Sequence, residues 1–279
     1  MLKKNKAYRV DCMKGLKKIN DNSVDMVLCD LPYGVTANSW DQIIPMNDYA
    51  LVDKKRLNAE QYFMHCFSRG LDVEGAHDSW ERNRKRGLWY HYKRIIKKNG
   101  VVVLTACQPF TTKLIHSNFG MFKYAWIWNK STKTNFLMTK KQPLRQHEDI
   151  VVFYNKQSTY NPQGLKNCSI TKSSVGLKSI NYNFIQKTPY TQTKTGYPSS
   201  VLKIANPSRG NFHPTQKPLE LGRYLIKTYT NKGDLVLDNA CGSGTFCVAA
   251  KLEGRDFIGF ETNKEYFKKL QQRLKEVTK

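Results

Sequence analysis

Two short loops carry residue types that can do chemistry together. Asp30-Leu31-Pro32-Tyr33 sets a carboxylate, a proline and an aromatic ring side by side. Asp238-Asn239-Ala240-Cys241-Gly242-Ser243-Gly244-Thr245 sets a carboxylate ahead of two glycines. An exocyclic base amine is a poor nucleophile, because its lone pair is delocalised into the ring. A carboxylate oxygen and a nearby backbone carbonyl can each accept one of its two N–H hydrogens, which pyramidalises the nitrogen and aims the lone pair. Asp30 supplies the first acceptor and the carbonyl of residue 31 or 32 the second, while Pro32 stiffens the loop. Tyr33 offers a ring on which a base can stack. Asp30, Pro32 and Tyr33 are therefore the candidate catalytic residues. Acceleration by such a loop comes from positioning and electrostatics, with no covalent enzyme intermediate.

The glycine loop narrows the co-reactant. Gly242 and Gly244 let backbone approach a ligand ahead of a helix N-terminus. A dinucleotide fingerprint needs a third glycine where Cys247 stands, and no Lys-Ser/Thr follows as a phosphate-binding P-loop requires. Glu261 ends the next apolar run, where an acidic side chain accepts ribose hydroxyls. A nucleoside without a pyrophosphate fits this set, which points to S-adenosylmethionine as cofactor.

These loops need a scaffold that brings them together. Apolar, β-branched runs predict strands over 23–29, 101–105, 124–128, 150–154, 234–238 and 257–260. Helical spacing predicts helices over 88–98, 111–118, 218–229, 245–253 and 264–276. Alternating strands and helices of this kind form an α/β fold, a mostly parallel sheet covered on both faces. Ligands then sit beyond the C-terminal strand ends, where both loops fall. The connection from Tyr33 to Val101 is too long for one crossover, so residues about 47–87 read as a helical insertion with Tyr62, Phe63, Phe67 and Trp80 as anchors.

Composition supplies the partner. The chain has 279 residues with 46 Lys+Arg against 22 Asp+Glu, a formal charge of +24, which points to a polyanion. No acidic residue lies between Asp149 and Glu220, while Lys178, Lys187 and Lys194 stand there among Tyr160, Tyr182, Tyr190 and Tyr197. Surfaces normally mix both signs, so residues 155–212 read as a loop-rich, nucleic-acid-contacting region with those lysines as DNA-binding candidates. The catalytic domain then comprises 1–154 and 213–279. No apolar run is long enough for a membrane span and the basic N-terminus lacks a signal sequence's apolar stretch. Seven cysteines without a CxxC pair, and histidines without ligand spacing, predict a reducing cytoplasm and no metal.

With these residues in place, the chain resembles the amino-group DNA methyltransferases of the N4/N6 DNA methylase family, in the β arrangement. The order agrees: Asp30 to Tyr33, the basic region, His213-Pro214-Thr215-Gln216-Lys217-Pro218, Asp238 to Thr245, then Glu261. The resemblance implies a circularly permuted, Rossmann-like sheet of seven strands, one of them antiparallel. It implies that Thr215 and Lys217 hold the methionine carboxylate of S-adenosylmethionine, that Asp238, Gly242 and Gly244 line the methionine moiety, and that Glu261 holds the ribose. Asp11 matches the contact to the cofactor adenine, and Trp126-Ile127-Trp128-Asn129-Lys130 the segment that stacks on an extruded base opposite Tyr33, with Trp128 the stacker if one of the two tryptophans is core. Leu31 departs from the family's Asp-Pro-Pro-Tyr, yet Asp30 and the acceptor carbonyl remain. Aspartate at the first position resembles the members that methylate adenine N6 in duplex DNA by base flipping, as in restriction-modification, and a homodimer is an available assembly. Cytosine N4 as target, or a silent DNA-binding subunit, are the competing readings.

Overall fold

The order of apolar runs decides which strands become central. The computed structural model describes residues 2–34, 41–172, 178–179, 184–185, 190–206 and 216–277. It begins with β1 (Lys6–Arg9) and α1 (Cys12–Leu16), whose N-terminus is capped by the Asp11 side chain accepting from the Lys14 N–H. β2 (Val24–Cys29) is buried apart from Asp25. The insertion comprises a hairpin of β3 (Ala50–Val52) and β4 (Lys55–Leu57), then α2 (Ala59–Phe67) and α3 (Val73–Asn83). Asp53 and Lys54, at φ 47° and 65°, make its tight turn. Ala50, Tyr62, Cys66, Ala76 and Trp80 give the insertion a small core of its own.

Then come α4 (Leu88–Ile95), β5 (Ile96–Ala106), α5 (Phe110–Ser117), β6 (Phe122–Thr134) and β7 (Arg145–Phe153). The basic region holds β8 (Lys166–Lys172), β9 (Lys178–Ser179), β10 (Phe184–Ile185), β11 (Tyr190–Thr195) and β12 (Val201–Lys203). The chain finishes with α6 (Leu219–Tyr229), β13 (Leu235–Asp238), α7 (Thr245–Leu252), β14 (Asp256–Glu261) and α8 (Lys264–Glu276).

The main sheet runs β1-β14-β13-β2-β5-β7-β6-β12, with β7 antiparallel to both its neighbours and the other pairs parallel. Alternate residues of β2 feed two cores. Val27 and Cys29 face α1, α4 and α5; Met26 and Leu28 face α6, α7 and α8. The sheet is thus a middle layer between two helical layers. β2 and β13 pair directly, Val236 against Met26 and Leu237 against Val27, so the loops leaving them share one crevice. Among the described residues no helix is long and apolar enough to cross a membrane.

Three expectations need correcting. The main sheet has eight strands, not seven, because Val201–Lys203 of the basic region pairs with Ile127–Asn129 on the edge strand β6. That region also forms a β8–β11 hairpin, so it is less loop-like than its glycines and prolines imply. The helix expected to reach residue 98 ends at Ile95, because Ile96 pairs with Val24 and Lys97 with the Asp25 carboxylate.

Gly244 shows how the fold constrains the glycine loop. It sits at φ 83°, and a Cβ there would lie 1.9 Å from Leu270 Cδ1 on α8. Gly254, at φ 72°, has only Lys232 Cγ at 3.9 Å. Gly244→Ala is expected to cost about 2–5 kcal/mol, from left-handed strain plus overpacking, against about 1–2 kcal/mol for Gly254→Ala. Urea denaturation midpoints check this, and equal losses would show that α8 does not set the constraint.

Candidate active site

Asp30 leaves the end of β2 and is the hub of a part-buried polar network. Its Oδ1 accepts from the Thr105 hydroxyl at 2.5 Å and has the Tyr33 hydroxyl 2.7 Å away. Thr105 comes from the end of β5, the next strand, which is why the two meet. Asp30 Oδ2 accepts from Lys217 Nζ at 2.7 Å. The same ammonium lies 3.2 Å from Glu148 Oε2 on β7, and Glu148 Oε1 pairs with Lys130 of β6. Burial alone would lower the Lys217 pKa, but the Asp30 and Glu148 carboxylates outweigh it and hold the value above the ordinary one. Burial and then the Asp30 charge push the Tyr33 phenol well up, so Tyr33 stays a neutral donor. The Tyr33 ring stacks on Phe110 with centroids 5.2 Å apart.

The glycine loop faces this network across one cavity of about 1270 Å³. Gly242, at φ 51°, donates its N–H to Glu261 Oε2 at 2.8 Å, and Asn263 N–H donates to Oε1 at 2.7 Å. Arg273 of α8 donates to the Ser243 carbonyl at 2.7 Å. Ser243 Oγ in turn donates to Gln216 at 2.9 Å, tying the glycine loop to the segment that carries Lys217. Asp238 is buried, and burial first of all pushes its carboxyl up to about 8. Contacts with Cys29 and the Ala240 N–H work against that rise, whereas the Asp30 and Glu261 charges add to it.

Asp11, Asp30, Pro32, Tyr33, Trp128, Lys217, Asp238, Gly242 and Glu261 all line this cavity. Gly244 does not: it packs on Leu270 and begins α7. The Lys217 ammonium, expected to hold the methionine carboxylate, is engaged by the Asp30 and Glu148 carboxylates at the edge of this cavity. Trp126 and Trp128, two residues apart, share one face of β6 and are both buried, so side alternation does not separate them. Depth does: Trp126 donates to Tyr229 within the core at 2.6 Å, whereas Trp128 donates to the Ile204 carbonyl at 2.8 Å and borders the cavity. Thr215, Lys187 and the Lys178 side chain lie outside the described residues. Lys194 is exposed on β11 and bonds Asn167. Sequence reasoning missed Thr105, Lys130, Glu148 and Gln216. The available signal was a polar residue at or near the end of a buried strand, as Thr105 is in Val101–Ala106.

The chemistry of the donor set suits S-adenosylmethionine. Asp238 and Glu261 are carboxylates lining the cavity beside a glycine turn, and the Asn239 amide nitrogen there is buried without a hydrogen-bond partner. A cationic nucleoside would meet acceptors for its charge and hydroxyls.

Comparisons with known proteins agree with this geometry. A family model of the N6/N4 methyltransferase type, described as DNA methylase, matches residues 24–272. The type II methyltransferase M.HpaI of Haemophilus parainfluenzae is 25% identical over 269 residues, covering 95% of this chain and 72% of that protein. The DNA adenine methyltransferase YhdJ of Escherichia coli K12 is 25% identical over 275 residues, covering 95% and 80%. The crystal structure of the M1.HpyAVI–SAM complex superposes with a TM-score of 0.55 at 19% identity, covering 96% of this chain and 98% of that one.

Asp238 makes the free protein pH-sensitive. Its folded pKa of about 8 exceeds the ordinary 3.8, so between those values the folded state holds a proton that the unfolded state has released. The associated stability is fully present below 3.8 and is lost as pH rises through about 8. Asp238→Asn is therefore expected to gain thermal stability relative to the parent as pH rises from about 5 to about 9, in a melting series without cofactor. A difference that does not change with pH would refute the assignment.

Proposed function

The chain belongs to the DNA methylase family, and from that membership we propose that it methylates the N6 amine of adenine at a specific sequence in duplex DNA, using S-adenosylmethionine. One observation carries the reading: the Asp30 loop and the glycine loop leave adjacent parallel strands and open on one cavity. Aspartate at position 30 and the naming of YhdJ as an adenine methyltransferase support adenine over cytosine.

When bound, S-adenosylmethionine supplies an electrophilic methyl group on a sulfonium. Glu261, Asp238, Gly242 and Asp11, which line the glycine-loop side of the cavity, would hold it there. On the other side Asp30 accepts one N–H of the target amine, and the carbonyl of Leu31 or Pro32 accepts the second. With both hydrogens held, the nitrogen is pyramidal with its lone pair exposed, and the proton it sheds on methylation passes to Asp30 or to water. Thr105 and Tyr33 keep the Asp30 carboxylate in place through Oδ1. Tyr33 and Trp128 present rings to the base, which leaves the duplex because Asp30 lies in a cavity that a stacked amine cannot reach. Lys178, Lys187 and Lys194 neutralise phosphates. A cytoplasmic location and a homodimer complete the reading.

Two experiments test it. With methyl-labelled S-adenosylmethionine and unmethylated duplex DNA, the label is expected in N6-methyldeoxyadenosine after digestion to nucleosides. Asp30→Ala should bind cofactor and DNA like the parent and lose transfer by about 100-fold or more. Label in N4-methyldeoxycytidine would correct the base, and full activity of Asp30→Ala would refute the mechanism. Replacing Lys178, Lys187 and Lys194 with alanine should flatten the dependence of log K on log salt, by about 0.9 for each phosphate no longer neutralised. An unchanged slope would remove the recognition role from that region.

A further inference from the structure

Two ammonium groups stand over the two rings assigned to the extruded base. Lys217 Nζ lies 5.4 Å from the centre of the Tyr33 ring, and Lys130 Nζ lies 5.1 Å from that of the Trp128 ring. One carboxylate holds both, since Glu148 meets Lys130 through Oε1 and Lys217 through Oε2. Lys217 also donates at 2.7 Å to Asp30 Oδ2, the oxygen left after Thr105 and Tyr33 engage Oδ1. A donor nitrogen at that distance from Asp30 and over Tyr33 stands where the target amine belongs. Both lysines are buried, so neither is part of a solvated surface pair.

Resting on the methyl-transfer reading above, we propose that Lys217 is a placeholder for the target amine and that Glu148 is the positioning residue that takes its ammonium over when a base arrives. A charged ammonium outcompetes a neutral amine for a carboxylate, because charge-assisted hydrogen bonds are the stronger ones. Displacement therefore needs a second acceptor already in contact, and Glu148 Oε2 is 3.2 Å from the ammonium. Lys130, on the other oxygen of Glu148, keeps that carboxylate aimed. With the exchange, Asp30 Oδ2 keeps a donor both before and after the base is seated. The exchange also discriminates. A base that brings no N–H to Asp30 leaves the carboxylate unsatisfied once Lys217 has moved, so it is rejected at this step.

The test is a double-mutant cycle of Glu148→Gln and Lys217→Met, both close in shape to the parent residues, with melting temperatures measured to confirm folding. Each protein is assayed for kcat and KM toward duplex DNA, for S-adenosylmethionine affinity, and for the fluorescence of 2-aminopurine placed next to the mapped target adenine, whose unstacking reads out extrusion. Glu148→Gln is expected to lower kcat/KM for DNA by about tenfold or more and to reduce the fluorescence, with cofactor affinity kept. Adding Lys217→Met should restore both by removing the competitor. A double variant no better than Glu148→Gln would overturn the proposal. So would a loss of cofactor affinity in Lys217→Met, which would return that lysine to the methionine carboxylate. If the parent itself transfers no methyl group to DNA, the functional reading fails first, and that result is distinct from either of these.

Discussion

A partly buried carboxylate needs donors to replace the water it has lost, and the site is organised around meeting that condition at Asp30. Its donors come from three separate stretches of chain: Thr105 at the end of β5, Tyr33 from its own loop, and Lys217 just before α6. Lys217 brings Glu148 with it, and Glu148 brings Lys130, so a chain of alternating charge crosses from β2 to β7 and β6. The network is driest at Lys130 and Lys217 and leaves the Asp30 side chain 25% exposed, so water shares in satisfying its open end. It locks the loop carrying Asp30 to the segment carrying Gln216, which is hydrogen-bonded to the glycine loop. Catalytic and cofactor halves are thereby held in register by polar contacts that sit on top of the strand pairing.

Legibility in the sequence followed the range of the forces involved. α8 was readable to its ends, because Asn263 caps it and its apolar residues repeat at helical spacing. β2, β13 and β14 were readable because strands buried on both faces leave continuous apolar runs. The end of α4 was not, since Ile96 to Lys98 are helix-compatible residues whose state is decided by pairing with β2. β12 was hidden for a related reason. Three residues carry no periodicity, and β12 exists only because β6 offers an open edge. In the insertion, Tyr62 and Trp80 were legible as anchors and are buried there, whereas the β3–β4 hairpin ahead of its helices was not, and Phe67, also expected as an anchor, is exposed.

The site divides in the same way. Loops at the ends of apolar runs could be recognised, and they do meet, because β2 and β13 are neighbours. The identity of each side chain's partner could not be recognised. Lys217 shows this, for its motif suggested an anion ligand in the cofactor, whereas the fold surrounds it with two of the chain's own carboxylates. Gly244 shows it too: its spacing from Gly242 suggested room for a ligand, whereas the room it leaves is filled by Leu270.

Asp30 and Asp238 end adjacent strands and open on one cavity, yet the fold treats them in opposite ways. Asp30 is given a buried ammonium and two hydroxyls, whereas Asp238 is left with little more than one backbone N–H and burial pushes its carboxyl up to about 8. A carboxylate already satisfied by the protein is suited to exchanging one donor for another without changing charge. A carboxyl that lacks a counter-charge is suited to a ligand that brings one, because a cation at that point favours the ionised form. One end of the cavity is thus prepared for a neutral amine and the other for a positively charged cofactor. The insertion adds Tyr49 and Arg56 to the lining, with the guanidinium 5.4 Å over the tyrosine ring, so this segment also borders the cavity.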